Sequence, residues 1–434
     1  MSNSPLAPRG NVRRLSGRRL YAIGAAASLL AITACGADSG DAGGAGEPAK
    51  VGVALARSGP SATYGEGLVA GLEFETDRIN EQGGVECLDD APIELVFADT
   101  ASDQATAANE ARRLVTQEDV SALVAGTITP EGQAVLPVAQ REGLPVLFGI
   151  LASNLGYENG FTHGLPYPNY ASGMMDFAAY LRDEVGAGIK DVVLTTTTTE
   201  AGSGILDALE AKAEELGFNV IESIGIPPEQ EDYTSTVLRI RALAPDAVIS
   251  FLYTEDGLRM GEARHALGYT GTNAPIFIGG TGGYTDPKLW DQMGEEIAAP
   301  ALVDTDVFGL AIIAVNAEYE PMQQLLSDAE AAGAKPLDSN FVAGAQIARS
   351  LWAALSEACS TDPQDITEAL RSLEIPAGDP HLYMPTVAES GLSFSDAGTL
   401  NNIVSPIEVW QSDGTTAVVY PTSQATLEGG IELN

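Results

Sequence analysis

Between residues 50 and 280, short apolar runs alternate with stretches of helical period, and this restricts the fold more than any other feature of the chain. The run 51–56 ends at the turn Ser58-Gly59-Pro60. Leu68, Leu72 and Ile79 then recur at helical spacing across 64–82, and Gly83-Gly84 marks the stop. Strands are expected at 93–98, 122–125 and 146–148, with helices at 103–118, capped by Asp103, and around 133–141. A second series follows, with helices at 172–185, 201–216, 233–242 and 258–267 and strands at 191–194, 220–224, 247–251 and 276–279. The later chain is less regular: helices at 317–332, 341–359 and 365–373, then a hairpin of 403–410 with 416–420 around Asp413-Gly414. Such alternation builds parallel, doubly wound sheets covered by helices on both faces, an α/β fold. Two series in 434 residues predict two similar lobes, since one core rarely serves so long a chain.

The first 34 residues are of another kind. They carry Arg9, Arg13, Arg14, Arg18 and Arg19, no acid, and an apolar run over 20–34 that closes at Cys35. A basic start, a short apolar stretch and small residues before a cut site make an export signal. Fifteen residues rise only about 22 Å as a helix, short of a roughly 30 Å bilayer core. Ile32-Thr33-Ala34-Cys35 resembles the lipobox of bacterial lipoproteins, in which the Cys is acylated and becomes the new N-terminus. Residues 35–48 then read as a flexible tether, placing the protein by its lipid at the outer face of the cytoplasmic membrane. Arg18-Arg19 also loosely resembles a twin-arginine signal, so the export route stays open. In an exported protein the leftover Cys87 and Cys359 point to one disulfide, or else to two separate buried thiols. Loss of five arginines and no acid takes the net charge from −38 to −43, a surface that repels nucleic acid and anionic lipid heads.

The patterns of an enzyme are missing. His163, His265 and His381 sit in no zinc spacing, and Ser203 lies in Ala-Gly-Ser-Gly rather than a nucleophile elbow. The run 279–283 is glycine-rich after a strand but matches neither a phosphate loop nor a dinucleotide fingerprint. Asp304-Thr305-Asp306 lacks the rest of a calcium loop. No catalytic residue, metal or cofactor is expected.

Ligands of doubly wound sheets sit beyond the carboxyl ends of the strands, where this chain places Ser58-Gly59-Pro60-Ser61-Ala62-Thr63-Tyr64-Gly65. That run, with Gly83-Gly84, Asp99, Gln104, residues 126–133 and Glu142-Gly143-Leu144-Pro145, resembles the leucine/isoleucine/valine-binding protein family of bacterial ABC transporters. Asp232-Tyr233-Thr234-Ser235, Pro245-Asp246-Ala247-Val248 and Ala266-Leu267-Gly268-Tyr269 continue the resemblance, which covers 50–308 well and the remainder loosely. It implies a type I periplasmic binding protein: two Rossmann-like lobes joined by three crossovers, near Asn169, Asp304 and Asp396. Lobe one would be 49–168 plus 305–395, lobe two 169–304 plus 396–434, with segments 311–339 and 376–390 unassigned.

The resemblance also implies a ligand site. Tyr64 would wall the cleft, or else lie on the surface at a helix start. Thr129 would hold a carboxylate with adjacent amides, a helix N-terminus favouring an anion there, and could equally be a cap. Ile150, Ala152 and Ser153 fall on the segment that gives the ligand a carbonyl and a hydroxyl; the hydroxyl place is Ala152, with Ser153 one residue later. Tyr253 would be the second-lobe aromatic, or a core tyrosine. Two departures stand out. Ala201 stands where the family often has Tyr, and Thr281 where amino-acid binders place the acid that pairs with the ammonium. A buried ammonium without its anion costs several kcal/mol. Unless Asp256 or Glu255 reaches in, the ligand is expected to be an amide, a small carboxylate or an aromatic acid, with the hydroxyls of 195–199 beside it. The function implied is that of a monomeric receptor that closes on a small polar solute and hands it to ABC permease subunits. A lipoprotein sensor signalling to a membrane kinase has the same sequence features, and a lipid-anchored hydrolase is opposed by the missing triad.

Overall fold

The computed structural model describes residues 46–149, 156–227, 230–280, 282–427 and 429–434. The signal, Cys35 and most of the tether lie outside them, as do Ile150, Ala152, Ser153 and Thr281.

Five parallel strands make the first sheet: β1 (Ala49–Leu55), β2 (Ile93–Asp99), β3 (Ala122–Ala125), β4 (Val146–Phe148) and β5 (Gly160–Thr162). Helices α1 (Ala62–Glu81), α2 (Gln104–Gln117) and α3 (Thr129–Glu142) connect the first four. The order is β2-β1-β3-β4-β5. Val51, Val53 and Leu55 enter one core and Ala54 the other, which is why β1 reads as unbroken apolar sequence. The Asp103 carboxylate caps α2 by accepting from the Thr106 amide at 2.8 Å.

The second series runs α4 (Tyr167–Tyr180), β6 (Asp191–Thr197), α5 (Glu200–Leu216), β7 (Asn219–Ile226), α6 (Thr234–Leu243), β8 (Ala247–Phe251), α7 (Thr254–Ala266) and β9 (Ile276–Gly280). Three short helices, α8 (Gly282–Thr285), α9 (Lys288–Met293) and α10 (Glu295–Ala298), lead to β10 (Val307–Leu310). Then come α11 (Glu320–Ala331), α12 (Ser339–Ala358), α13 (Pro363–Arg371), a two-stranded ladder of β11 (Glu374–Ile375) with β12 (Leu392–Ser393), and the hairpin β13 (Ile407–Trp410) and β14 (Thr416–Tyr420). The second sheet is ordered β14-β13-β10-β9-β8-β6-β7; β13 is antiparallel to both its neighbours, the rest parallel.

The crossover positions need correction. β10 pairs in parallel with β9, so the chain leaves the second lobe after residue 310 rather than at 304. Phe394 and Leu400 belong to the first-lobe core and Thr399 bridges Thr162, so the return comes after 400 rather than at 396. Leu165 already packs in the second lobe, ahead of Asn169. The two later crossings touch, the Ala311 amide donating to the Pro406 carbonyl at 2.9 Å. Segments 311–339 and 376–390 are core cover: Ile313, Met322, Leu325, Leu382, Tyr383 and Val387 are buried in the first lobe. There α12 lies against α1 with almost no space between, since a Cβ on Gly71 would stand 1.9 Å from the Phe341 carbonyl oxygen.

Cys87 and Cys359 are exposed thiols, which excludes two separate buried ones. They stand side by side: Cys359 Sγ donates to the Cys87 carbonyl at 3.1 Å and Cys87 Sγ to that of Ser356 at 3.6 Å. The hydrogen bond with Cys359, above all, pushes the Cys87 thiol up to about 11. No helix among the described residues is long and apolar enough to cross a membrane.

Candidate functional site

Strand order in each sheet reverses once, between β1 and β3 in the first and between β6 and β8 in the second. Such a switch point opens a crevice at the carboxyl ends of the strands it separates. The four expected contacts lying within the described residues follow these four strands: Tyr64 after β1, Thr129 after β3, Ala201 after β6 and Tyr253 after β8.

In the first lobe the turn after β1 is clamped by Asp99. Its carboxylate accepts from the amides of Arg57 (2.9 Å), Ser58 (3.2 Å) and Ala101 (2.8 Å) and from the Ser58 hydroxyl (2.7 Å). Desolvation works against the charge, but these bonds hold the carboxyl below its usual range. The turn delivers Tyr64 to the first turn of α1, where it is 47% exposed. After β3, the Thr127 hydroxyl accepts from the Ala56 amide at 2.7 Å, tying the two switch-point loops together. Glu131 is fully buried beneath them and accepts from the Thr100 hydroxyl at 3.0 Å. Burial pushes its carboxyl up, against the hydrogen bonds of Thr100 and Thr127. Thr129 is half-buried and is the first helical residue of α3, not its cap. Ile128 occupies the cap position and offers no side-chain bond.

In the second lobe the threonine run does local work. The Thr199 hydroxyl caps α5 by accepting from Gly202 N at 3.1 Å and stands 3.0 Å from the Thr197 hydroxyl. Ala201 is half-buried in the first turn of α5. Tyr253 is not a core tyrosine: it is 44% exposed, at the start of α7, with its ring 5.8 Å from Phe251. Phe251 in turn meets Tyr170 edge-on at 5.5 Å.

Asp256 does not reach into the cleft. It is buried, accepts from the Tyr233 hydroxyl at 2.5 Å and caps α7 through the Tyr253 amide at 3.3 Å. Sequence reasoning missed another acid, Asp286. Its Oδ2 accepts from the Thr254 hydroxyl at 2.8 Å, and Oδ1 accepts from the Lys288 amide, two residues on, at 2.9 Å. The Asp286-Pro287 pair at a helix start was its only signal, and that reads as a cap. Tyr64 feels the opposite lobe: burial, then Asp286, then Tyr253 push its hydroxyl above the ordinary value.

The periplasmic binding protein model matches residues 48–389. Leu/Ile/Val-binding protein homolog 7 of Brucella abortus is 25% identical over 410 residues, 92% of this chain and 98% of that one. The branched-chain amino acid transporter substrate-binding protein LivJ of Streptococcus pneumoniae, solved with isoleucine, has a similar structure. It gives a TM-score of 0.67 at 18% identity, over 86% of this chain and 100% of that one. A solute-binding protein of R. palustris solved with benzoate gives 0.64 at 18%, over 88% and 99%.

Proposed function

This chain belongs to the periplasmic binding protein family, and we propose that it is the receptor of an ABC uptake transporter, closing two lobes on a small polar solute. The observation that carries this reading is the coincidence of Tyr64, Thr129, Ala201 and Tyr253 with the two switch points, two residues from each lobe. Closure would stabilise one of two states by differential affinity, which is all that a permease needs to sense. The solved relatives carry a branched-chain amino acid and an aromatic acid, and the ligand proposed here is of that size: amino-acid-like, an amide or a small carboxylate. In the full reading, residues 1–34 are removed, Cys35 is acylated, and 35–48 tether a monomer to the outer face of the membrane.

A thermal-shift screen tests the receptor reading, with branched-chain and other amino acids, amides, amines, and aliphatic and aromatic carboxylates. A ligand at a hundredfold its dissociation constant adds about 2.7 kcal/mol, several degrees of melting temperature. Tyr64→Ala and Tyr253→Ala are each expected to weaken the best ligand 10- to 100-fold, roughly 1.4–2.7 kcal/mol, while the ligand-free melting temperature stays put. Unchanged affinity in both variants removes the site from the cleft. We also propose that Cys87 and Cys359 are bonded in the exported protein. Alkylation without reduction should then leave both unlabelled, and labelling of both before reduction sinks the pairing.

A further inference from the structure

Three loops meet at the carboxyl edge of the first sheet, those after β1, β2 and β3, and one buried carboxyl lies beneath them. Glu131 stands in the first turn of α3 with no exposure to solvent. Its Oε2 accepts from the Thr100 hydroxyl at 3.0 Å, in the loop after β2, and from the Thr127 amide at 3.3 Å, in the loop after β3. Oε1 has no hydrogen-bond partner among the described residues. The joints continue to the first loop. The Thr127 hydroxyl accepts from the Ala56 amide at 2.7 Å, and the first turn of α1 rests directly on that residue: a Cβ on Gly65 would stand 1.8 Å from the Ala56 carbonyl oxygen. Tyr64 precedes Gly65, so the same contact fixes its backbone.

The loop after β2 needs such support. Ala101 and Ser102 both hold left-handed backbone, at φ 52° and 59°, which residues other than glycine keep only where the surroundings over-determine it. The Ser102 hydroxyl bonds the Ser58 carbonyl and the Ser61 amide, each at 2.9 Å, while Thr100 anchors the near side of the loop on Glu131. Thr100 and Thr127 are fully buried, so neither donor can turn to water if the carboxyl is lost. A carboxyl at this depth with one oxygen unmet is a poor stabiliser, because taking it out of water costs more than two hydrogen bonds return. What it supplies is placement.

We infer that Glu131 is a positioning residue for ligand binding, holding the loops after β1, β2 and β3 in one frame so that Tyr64 and Thr129 meet the solute in fixed relation. This rests on the cleft being the ligand site. Glu131 acts from beneath, through Thr127 and Thr100, and touches no solute itself.

Calorimetric titration of leucine, acetamide, 4-methylpentanoate and benzoate into the purified chain tests it, beside amide hydrogen exchange of the ligand-free protein. Glu131→Met fills the space but accepts no hydrogen bond. It is expected to weaken the tightest of the four probes tenfold or more and to speed exchange at Ala56 and Thr127 at least tenfold. Exchange at Leu136 and Ala139, buried later in α3, should stay within twofold. Glu131→Gln keeps an acceptor in place and should recover the affinity to within threefold of the parent. Thr127→Val cuts the joint to Ala56 and should weaken the same probe at least fivefold; it decides the matter if Glu131→Met does not fold. Loosened loops with unchanged affinity make the role structural only and overturn the inference, as does a loss in Glu131→Gln equal to that in Glu131→Met. The four probes span the ligand classes proposed above, so if none binds the parent, or if Tyr64→Ala and Tyr253→Ala leave binding untouched, the cleft reading falls and the inference with it. If those two variants weaken binding while the Glu131 and Thr127 variants do not, only the positioning role is lost.

Discussion

Arg349→Met is expected to destabilise the chain by about 3 kcal/mol, toward the low end of what removing one partner of a buried ion pair costs. Glu75 on α1 and Arg349 on α12 form that pair, their side chains 0% and 4% exposed, where the two helices touch. The Tyr383 hydroxyl donates to the same Glu75 oxygen at 2.8 Å, and burial followed by Glu75 pushes that hydroxyl up. Methionine fills the space of the arginine stem but leaves a carboxylate in a dry helix interface. Arg78, at 3.4 Å from the other Glu75 oxygen and one-quarter exposed, offsets part of the loss. Urea denaturation measures the effect. Glu75→Gln combined with Arg349→Met should recover at least half of it, because the uncompensated charge is then gone. A loss below 1 kcal/mol in the single variant would mean that water or Arg78 already solvates Glu75.

Much of this architecture was legible because the strands are apolar on both faces. Residues 122–125, 146–148 and 247–251 were read to their ends, since helices cover both sides and no polar face blurs the run. β5 and β10 escaped. Gly160–Thr162 is three residues long, and Val307–Leu310 follows a stretch of short helices, so neither has a flanking period to set it off. Missing β10 is what misplaced the second crossover. Gly309 sits in that strand against the Thr285 side chain, a close fit that composition does not advertise. At the site, residues that follow a strand directly were legible, because doubly wound topology places them at the crevice. Asp286 was not: it is brought to the start of α7 by a hydrogen bond from Thr254, a tertiary fact with no spacing in the chain. Whether Asp256 reaches in stays open at the level of sequence for the converse reason. It stands at the right strand end but faces Tyr233 within its own lobe.

Part of the chain's stability should also fall with rising pH through Glu408. It lies on β13, 7% exposed, and burial raises its carboxyl to about 7, against the hydrogen bonds of Thr416 and Asn316. The unfolded value is near the ordinary glutamate value of about 4.3. Between these values the folded chain holds a proton that the unfolded chain has released, so stability declines across that window. Its contribution is whole below about 4.3 and wholly lost above about 7, a span worth at most roughly 3.7 kcal/mol at 1.36 kcal/mol per unit. Glu408→Gln keeps the shape and the acceptor for the Thr416 hydroxyl, at 3.1 Å, without a titrating charge. It should be more stable than the parent by about 2–3 kcal/mol at pH 8 and equal to it near pH 4.5, as measured by urea midpoints at the two values. Comparing the variant with the parent at each pH cancels the acid surface, whose own titration acts on both alike. An advantage of the same size at both pH values would assign the effect to packing. An advantage confined to pH 8 would place a charged, desolvated carboxylate next to Asn316, whose side chain donates to the Thr416 carbonyl at 2.6 Å and ties the second crossover to the terminal hairpin.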